Sequence, residues 1–141
     1  MRYVVDASVA VEYLLRTPLG QSVAGIVESS ELLAPELLDA EVLSALRRQV
    51  LHGDLDESRA RFVLDDLRRW PVDRISHQDL APVAWTYYRT VSAYDAFYVA
   101  VAQTWNCPLI TADGPLSRAP GLDVVIHHVH TGQSGWWAER N

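Results

Sequence analysis

Arg2-Tyr3-Val4-Val5-Asp6-Ala7-Ser8-Val9 opens the chain with a short β-rich run, two helix-capping residue types, and an apolar stretch that continues to Leu15. That order is strand, turn, helix, and the alternation continues outward. Leu32 to Ala34 is expected as a second strand closed by Pro35, which also opens a helix running to His52-Gly53. Asp56 to Trp70 carries helical periodicity in Phe62, Val63, Leu67 and Trp70, stops before Pro71, and hands over to a brief strand from Val72 to Ile75. Gln78 to Arg89 and Tyr94 to Trp105 are expected as further helices, Pro108 to Ala112 as a buried strand, and Asp123 to Ile126 as another, with turn material at Gly114-Pro115 and Pro120-Gly121. Strands alternating with helices predict an α/β domain around a mainly parallel sheet covered on both faces.

The chain has 141 residues, 49% apolar and 21% charged, which suits one folded domain and argues against intrinsic disorder. The domain is expected over residues 1–126 and a C-terminal tail over 127–141. In the tail His127, His128 and His130 precede Gly132, Gly135 and Trp136-Trp137. On a strand 128 and 130 share a face while 127 points away. With no acidic or Cys neighbour in sequence, a solvated terminal strand is the expectation there rather than a metal site, and the Trp pair is expected to pack on the body or a partner chain.

The net charge is −6, so no broad basic surface is available for nucleic acid. All 12 basic residues are Arg, which excludes P-loop, Schiff-base and other lysine-dependent chemistry. The single Cys107 cannot form an internal disulfide and is expected to be a buried structural thiol. Asp6 and Glu12 interrupt any signal-peptide core, and the longest apolar run, Ala96 to Ala102, falls far short of the roughly 20 residues of a membrane span, so a cytoplasmic location without membrane contact is expected.

Four carboxylates carry the chemical signal. Asp6 and Asp113 each follow a strand directly, at the edge where ligands bind in doubly wound sheets. Taken singly, Asp6 reads first as a helix N-cap and Asp113-Gly114 as an ordinary turn dipeptide. Glu41 lies at 100° per residue between Leu37 and Ala45, inside the apolar sector that also holds Leu38, Val42 and Leu46, while Glu36, Asp39 and Arg47 take the solvated face. An inward carboxylate must be protonated, paired with Arg or bound to a cation. Asp95 heads a helix that is apolar on every side, and Ser92 to Asp95 fits a capping box. Taken as a set, the four would repel one another at a single mouth unless cations bridged them. Oxygen donors without His or Cys select Mg²⁺, with Mn²⁺ as substitute.

At these residues the chain resembles the PIN-domain nucleases, and specifically the VapC toxins of type II toxin–antitoxin pairs. Val4-Val5-Asp6-Ala7-Ser8-Val9 is similar to the family's N-terminal motif and Ala40-Glu41-Val42-Leu43-Ser44-Ala45-Leu46 to its helical Glu motif. Tyr94-Asp95-Ala96-Phe97-Tyr98-Val99-Ala100 matches its central Asp motif, and Leu109-Ile110-Thr111-Ala112-Asp113 its last. The resemblance implies a three-layer α/β/α sandwich, Mg²⁺-dependent endoribonuclease activity, a homodimer, and inhibition by a small antitoxin protein. Gly114 departs from the pattern, since many relatives carry a basic or further polar residue there.

On that basis Asp6 and Asp95 are the expected primary metal ligands, with Glu41 and Asp113 completing the set directly or through water. Ser8 and Thr111 are candidates to orient carboxylates. Arg47, Arg48, Arg68, Arg69 and Arg118 are candidates to grip RNA phosphates, with an unpaired loop of a structured RNA as the target class. Two rivals stand beside this expectation. A phosphatase using Asp6 as nucleophile is disfavoured by the absent Lys and the missing second Asp at position 8. A catalytically degenerate scaffold would bind RNA or a protein partner without cutting. The apolar helices Val9 to Leu15 and Tyr94 to Trp105 fit a subunit interface, an antitoxin groove or the monomer's own core.

Overall fold

In the computed structural model, which describes residues 1–130, Val4 and Val5 are completely buried because their strand, β1 (Arg2–Val5), has a neighbour on each edge. The other strands are β2 (Glu31–Pro35), β3 (Val72–Ile75), β4 (Leu109–Thr111) and β5 (Ile126–His128). All pair in parallel in the order β3-β2-β1-β4-β5. The chain builds outward from β1 through β2 to β3, then crosses back to lay β4 on the other side. Strand order therefore reverses between β1 and β4, which makes the carboxyl ends of those two strands the ligand-binding edge.

Among the described residues seven helices connect the strands: α1 (Ala7–Leu15), α2 (Pro18–Ser29), α3 (Leu37–Leu51), α4 (Glu57–Arg69), α5 (His77–Trp85), α6 (Ala93–Trp105) and the short α7 (Gly114–Ser117). The fold is a three-layer α/β/α sandwich. The helix α6 rests on β1, β2 and β4 with α5 against it, while α1 packs on α2, α3 and α4. Both apolar helices singled out in the sequence are consumed by this core: Val9, Ala10 and Val11 of α1 and Ala96 and Tyr98 to Ala102 of α6 are buried. Exposed large apolar side chains include Leu43, Leu51, Phe62, Trp85 and Tyr88, and Tyr94 at the start of α6 is exposed as well.

The helix α2 was not anticipated. Thr17 caps it by accepting from the Gly20 amide, and Pro18 supplies the first-turn residue. A Cβ on Gly20 would lie 2.0 Å from the carbonyl oxygen of Glu12, so only glycine lets α2 cross α1 this closely. Three boundaries differ most from expectation. Pro35 completes β2, and α3 begins at Leu37 instead of at the proline. The helix α5 ends at Trp85 instead of Arg89, because the chain then tightens into i→i+3 turns through Thr86, Tyr87 and Tyr88. The last strand runs over Ile126–His128, later than Asp123 to Ile126, so the sheet extends past the expected boundary at 126. The partly buried Ile126 and Val129 fix that register by packing on the core, a preference the apolar run 124–126 conceals. Trp136 and Trp137 lie outside the described residues.

Asp39, expected on a solvated face, is half-exposed and forms a two-pronged ion pair with Arg74, Nη2 to Oδ1 at 2.9 Å and Nε to Oδ2 at 3.2 Å. The remaining donors of Arg74 reach the carbonyls of Leu67, Trp70 and Val72. One guanidinium thus ties α3, the end of α4 and β3 together. A second tie crosses from β2 to β3. The Glu36 carboxylate accepts from the His77 amide while the His77 ring, at Nε2, accepts from the Leu37 amide, both at 2.9 Å. Each of two neighbouring helices has a first-turn amide satisfied by a side chain from the start of the other.

Candidate active site

Asp6 follows β1 directly and occupies the N-cap position of α1, yet its side chain makes no cap bond. Its Oδ2 accepts instead from the Ser8 hydroxyl at 2.8 Å and from the Thr111 hydroxyl at 2.6 Å. Ser8 also accepts from the Ala112 amide, and Thr111 from the Asp113 amide, so both hydroxyls are oriented by backbone at the end of β4. The pairing of Val5 with Ile110 brings these two strand ends side by side. Burial pushes the Asp6 carboxyl up to about 6 against the two hydroxyl bonds, and the charge of Asp113 adds to the rise.

Glu41 sits in the second turn of α3, at the carboxyl end of β2, and is partly buried as its helical position predicts. Its Oε1 accepts from the Tyr98 hydroxyl at 2.7 Å. Burial is the chief reason its carboxyl rises to about 7, and the charges of Asp6 and Asp95 add to it against the Tyr98 bond and the weaker pull of Arg48. Asp95 lies in the first turn of α6, where the Ser92 hydroxyl caps the helix by accepting the Asp95 amide at 3.1 Å. Its carboxyl also rises to about 7, through burial first and then repulsion from Asp6 and Asp113. Asp113 follows β4 and caps α7 by accepting the Leu116 amide.

The four carboxylates therefore share one electrostatic environment at the carboxyl edge of the sheet, with Asp6, Asp95 and Asp113 at the positive ends of helices and Glu41 one turn further along α3. Among the described residues no guanidinium figures in what acts on Asp6 or Asp95, which removes an Arg pair as the explanation of their burial. Nor, as they stand, are any three His, Cys, Asp or Glu side chains among the described residues grouped closely enough to hold a metal ion. Without a cation the carboxylates repel, and hydroxyl and amide donors hold Asp6, Glu41 and Asp113. The donor set is oxygen throughout, crowded and poorly neutralised, and it fits a hard divalent ion.

Tyr98 is the site residue that the sequence did not single out. It is fully buried in α6, one turn beyond Asp95 on the same face, and burial drives its phenol pKa well above the usual range. The signal was available: a tyrosine inside an all-apolar helix needs a partner for its hydroxyl. The arginines divide. Arg48 is two turns along α3 from Glu41 and acts on it electrostatically, and Arg118 folds back along α7 with its guanidinium against Gly114. Arg47 is exposed on α3. Arg68 and Arg69 end α4 just before β3 begins, at the opposite edge of the sheet from the carboxylates, and Arg68 pairs with Asp65. Cys107 is buried, and burial pushes its thiol up, as a structural thiol requires.

The family model for the PIN domain matches residues 3–122. Ribonuclease VapC1 of Mycobacterium tuberculosis is 41% identical over 125 residues, spanning 87% of this chain and 94% of that protein. Ribonuclease VapC9 of the same organism is 40% identical over 114 residues, 81% of this chain and 87% of its own length. Among solved structures, VapBC2 from Rickettsia felis bound to a DNA fragment from its promoter superposes with a TM-score of 0.61 at 12% identity, covering 92% of this chain and all of that one. PAE2754 from Pyrobaculum aerophilum gives a TM-score of 0.60 at 24% identity over 83% of this chain and 86% of its own. At such identities these two likenesses concern the fold.

Proposed function

The chain belongs to the PIN-domain family, in its VapC branch, and from that premise we propose that it is a divalent-metal-dependent endoribonuclease and the toxin of a type II toxin–antitoxin pair. The observation that carries the proposal is the group of three partly or wholly buried carboxylates, Asp6, Glu41 and Asp95, raised to between about 6 and about 7 at the edge where strand order reverses. With no guanidinium among the described residues acting on Asp6 or Asp95, a bound cation is the partner that would let these carboxyls ionise at neutral pH.

Asp6 and Asp95 would hold Mg²⁺, or Mn²⁺ in its place, with Glu41 and Asp113 completing the set. When bound, such an ion supplies Lewis acidity that readies water for attack on phosphorus and offsets charge on the scissile phosphate. Ser8 and Thr111 fix the rotamer of Asp6 by bonding one of its oxygens, and Tyr98 does the same for Glu41. Arg48, on the same face of α3 as Glu41, and Arg118, beside Asp113 in α7, stand nearest to the site among the expected phosphate contacts, while Arg47 lies on the solvated face of α3. An unpaired loop of a structured RNA is the preferred substrate, because a splayed strand reaches such a mouth and a paired stem does not. The same kinship extends the proposal to a small antitoxin as inhibitor and a second copy of the chain as dimer partner.

The deciding experiment maps cleavage of total RNA with Mg²⁺, with EDTA, and with Asp6→Asn and Asp95→Asn. Discrete cuts that need the metal and vanish in both variants are expected. Full cleavage by the variants overturns the site, and RNA binding without any cut favours a non-catalytic scaffold.

A further inference from the structure

The carboxylate site leaves the histidines of the edge strand unused. His128 ends β5, and His130 follows Val129. Both imidazoles are exposed, on one side of the strand, with ring centroids 5.1 Å apart and planes tilted by 44°. We propose that His128 and His130 form a second metal site, which chelates a borderline transition ion such as Zn²⁺, Ni²⁺ or Cu²⁺ through one nitrogen of each ring.

Geometry supports this first. Metal–nitrogen bonds of about 2.0–2.1 Å put each imidazole centroid about 3.2 Å from a shared ion, so two rings at adjacent tetrahedral corners have centroids about 5 Å apart. The observed centroid separation of 5.1 Å matches that spacing. The strand beneath is fixed: Val129 packs on the core, its amide donates to the Thr111 carbonyl at 2.8 Å, and His128 is in register with Thr111. His127 points the other way and meets the Tyr3 ring at 5.6 Å. Among the described residues β5 is the edge of the sheet, and no further strand lies beyond the pair.

Donor chemistry separates this site from the first. Imidazole favours Zn²⁺, Ni²⁺ and Cu²⁺, whereas carboxylate oxygens favour Mg²⁺. Among the described residues no third His, Cys, Asp or Glu completes a cage, so the pair is a two-ligand chelate whose other positions stay open to water or to a donor from another molecule. The pair stands at the same end of the sheet as the carboxylates, one strand beyond the Thr111 that supports Asp6.

The test titrates ZnCl₂ into the full chain by calorimetry with millimolar Mg²⁺ present throughout. Saturable Zn²⁺ binding is expected, weakened roughly tenfold or more by His128→Ala and by His130→Ala. Binding should be unchanged by His52→Ala, which alters a separate exposed imidazole at the end of α3, and by the paired change Asp6→Asn with Asp95→Asn. In the parent, proton NMR should show the ring resonances of His128 and His130 moving with Zn²⁺ while those of His52 and His77 stay, a readout that needs no variant. Absence of saturable binding, parent-like binding in both His variants, loss of binding in the paired Asp variant, or movement confined to other histidines overturns the proposal. The Asp-variant arm keeps this outcome independent of whether the chain cuts RNA.

Discussion

At the scale of single residues, the carboxyls of Asp6, Glu41 and Asp95 set how stability follows pH. Each is raised from an ordinary value of 3.8 or 4.5 to about 6 or about 7, so each binds a proton more readily folded than unfolded. The stability they allow is complete below about pH 4 and is lost as pH climbs toward about 7 in the absence of a cation. Asp95→Asn should therefore raise the melting temperature of the metal-free protein by about 2–4 °C at pH 8 and by much less at pH 5. The same substitution should abolish RNA cleavage, which separates the residue's chemistry from its cost to the fold. Millimolar Mg²⁺ at pH 8 should raise the melting temperature of the parent and leave that of the Asp6→Asn, Asp95→Asn protein where it was; equal shifts would count against a carboxylate metal site. The inward carboxylate of Glu41 was legible because helical periodicity places it, whereas its bond to Tyr98 was not. That contact joins two helices 57 positions apart, and no local pattern records it.

Elements carry their own tests. Gly20→Ala places a methyl group into the backbone of α1 and should destabilise the fold by about 3 kcal/mol in urea unfolding, because neither helix can retreat without opening the core. Ser92→Ala removes the cap of α6 and should cost about 1 kcal/mol, since the Asp95 amide then loses its acceptor. Most elements were readable from apolar spacing and from caps, as α4 and α6 illustrate. What escaped was set by tertiary partners. Thr17-Pro18 announced α2 by cap chemistry, but the helix has only Gly20, Val23 and Val27 buried, too sparse an apolar face to stand out. Arg74 reads in the sequence as one more surface cation. It became a clamp only when β3 paired with β2 and carried it beneath Asp39.

For the whole molecule, an alternation of strands and helices implied a parallel sheet, but strand order is a long-range property that periodicity does not encode. The convergence of four acids was inferable only as a set, and the reversal between β1 and β4 is what makes them neighbours. Whole-molecule charge gives a further prediction. With a net charge of −6, the proposed RNA substrate would have to be held by local guanidinium groups, so Arg48→Ala and Arg118→Ala should each raise KM several-fold and make binding less sensitive to salt by roughly 0.7 in logarithmic slope per phosphate contact. Arg68→Ala, altered at the opposite edge of the sheet, should have a smaller effect. The central strand has a temporal consequence too. The edge of β1 that receives β4 waits through more than a hundred positions of synthesis, so a nascent chain emerging from the ribosome holds Asp6 long before Asp113 exists. Any chemistry at that edge that needs both strand ends stays silent until β4 has been made and has paired with β1.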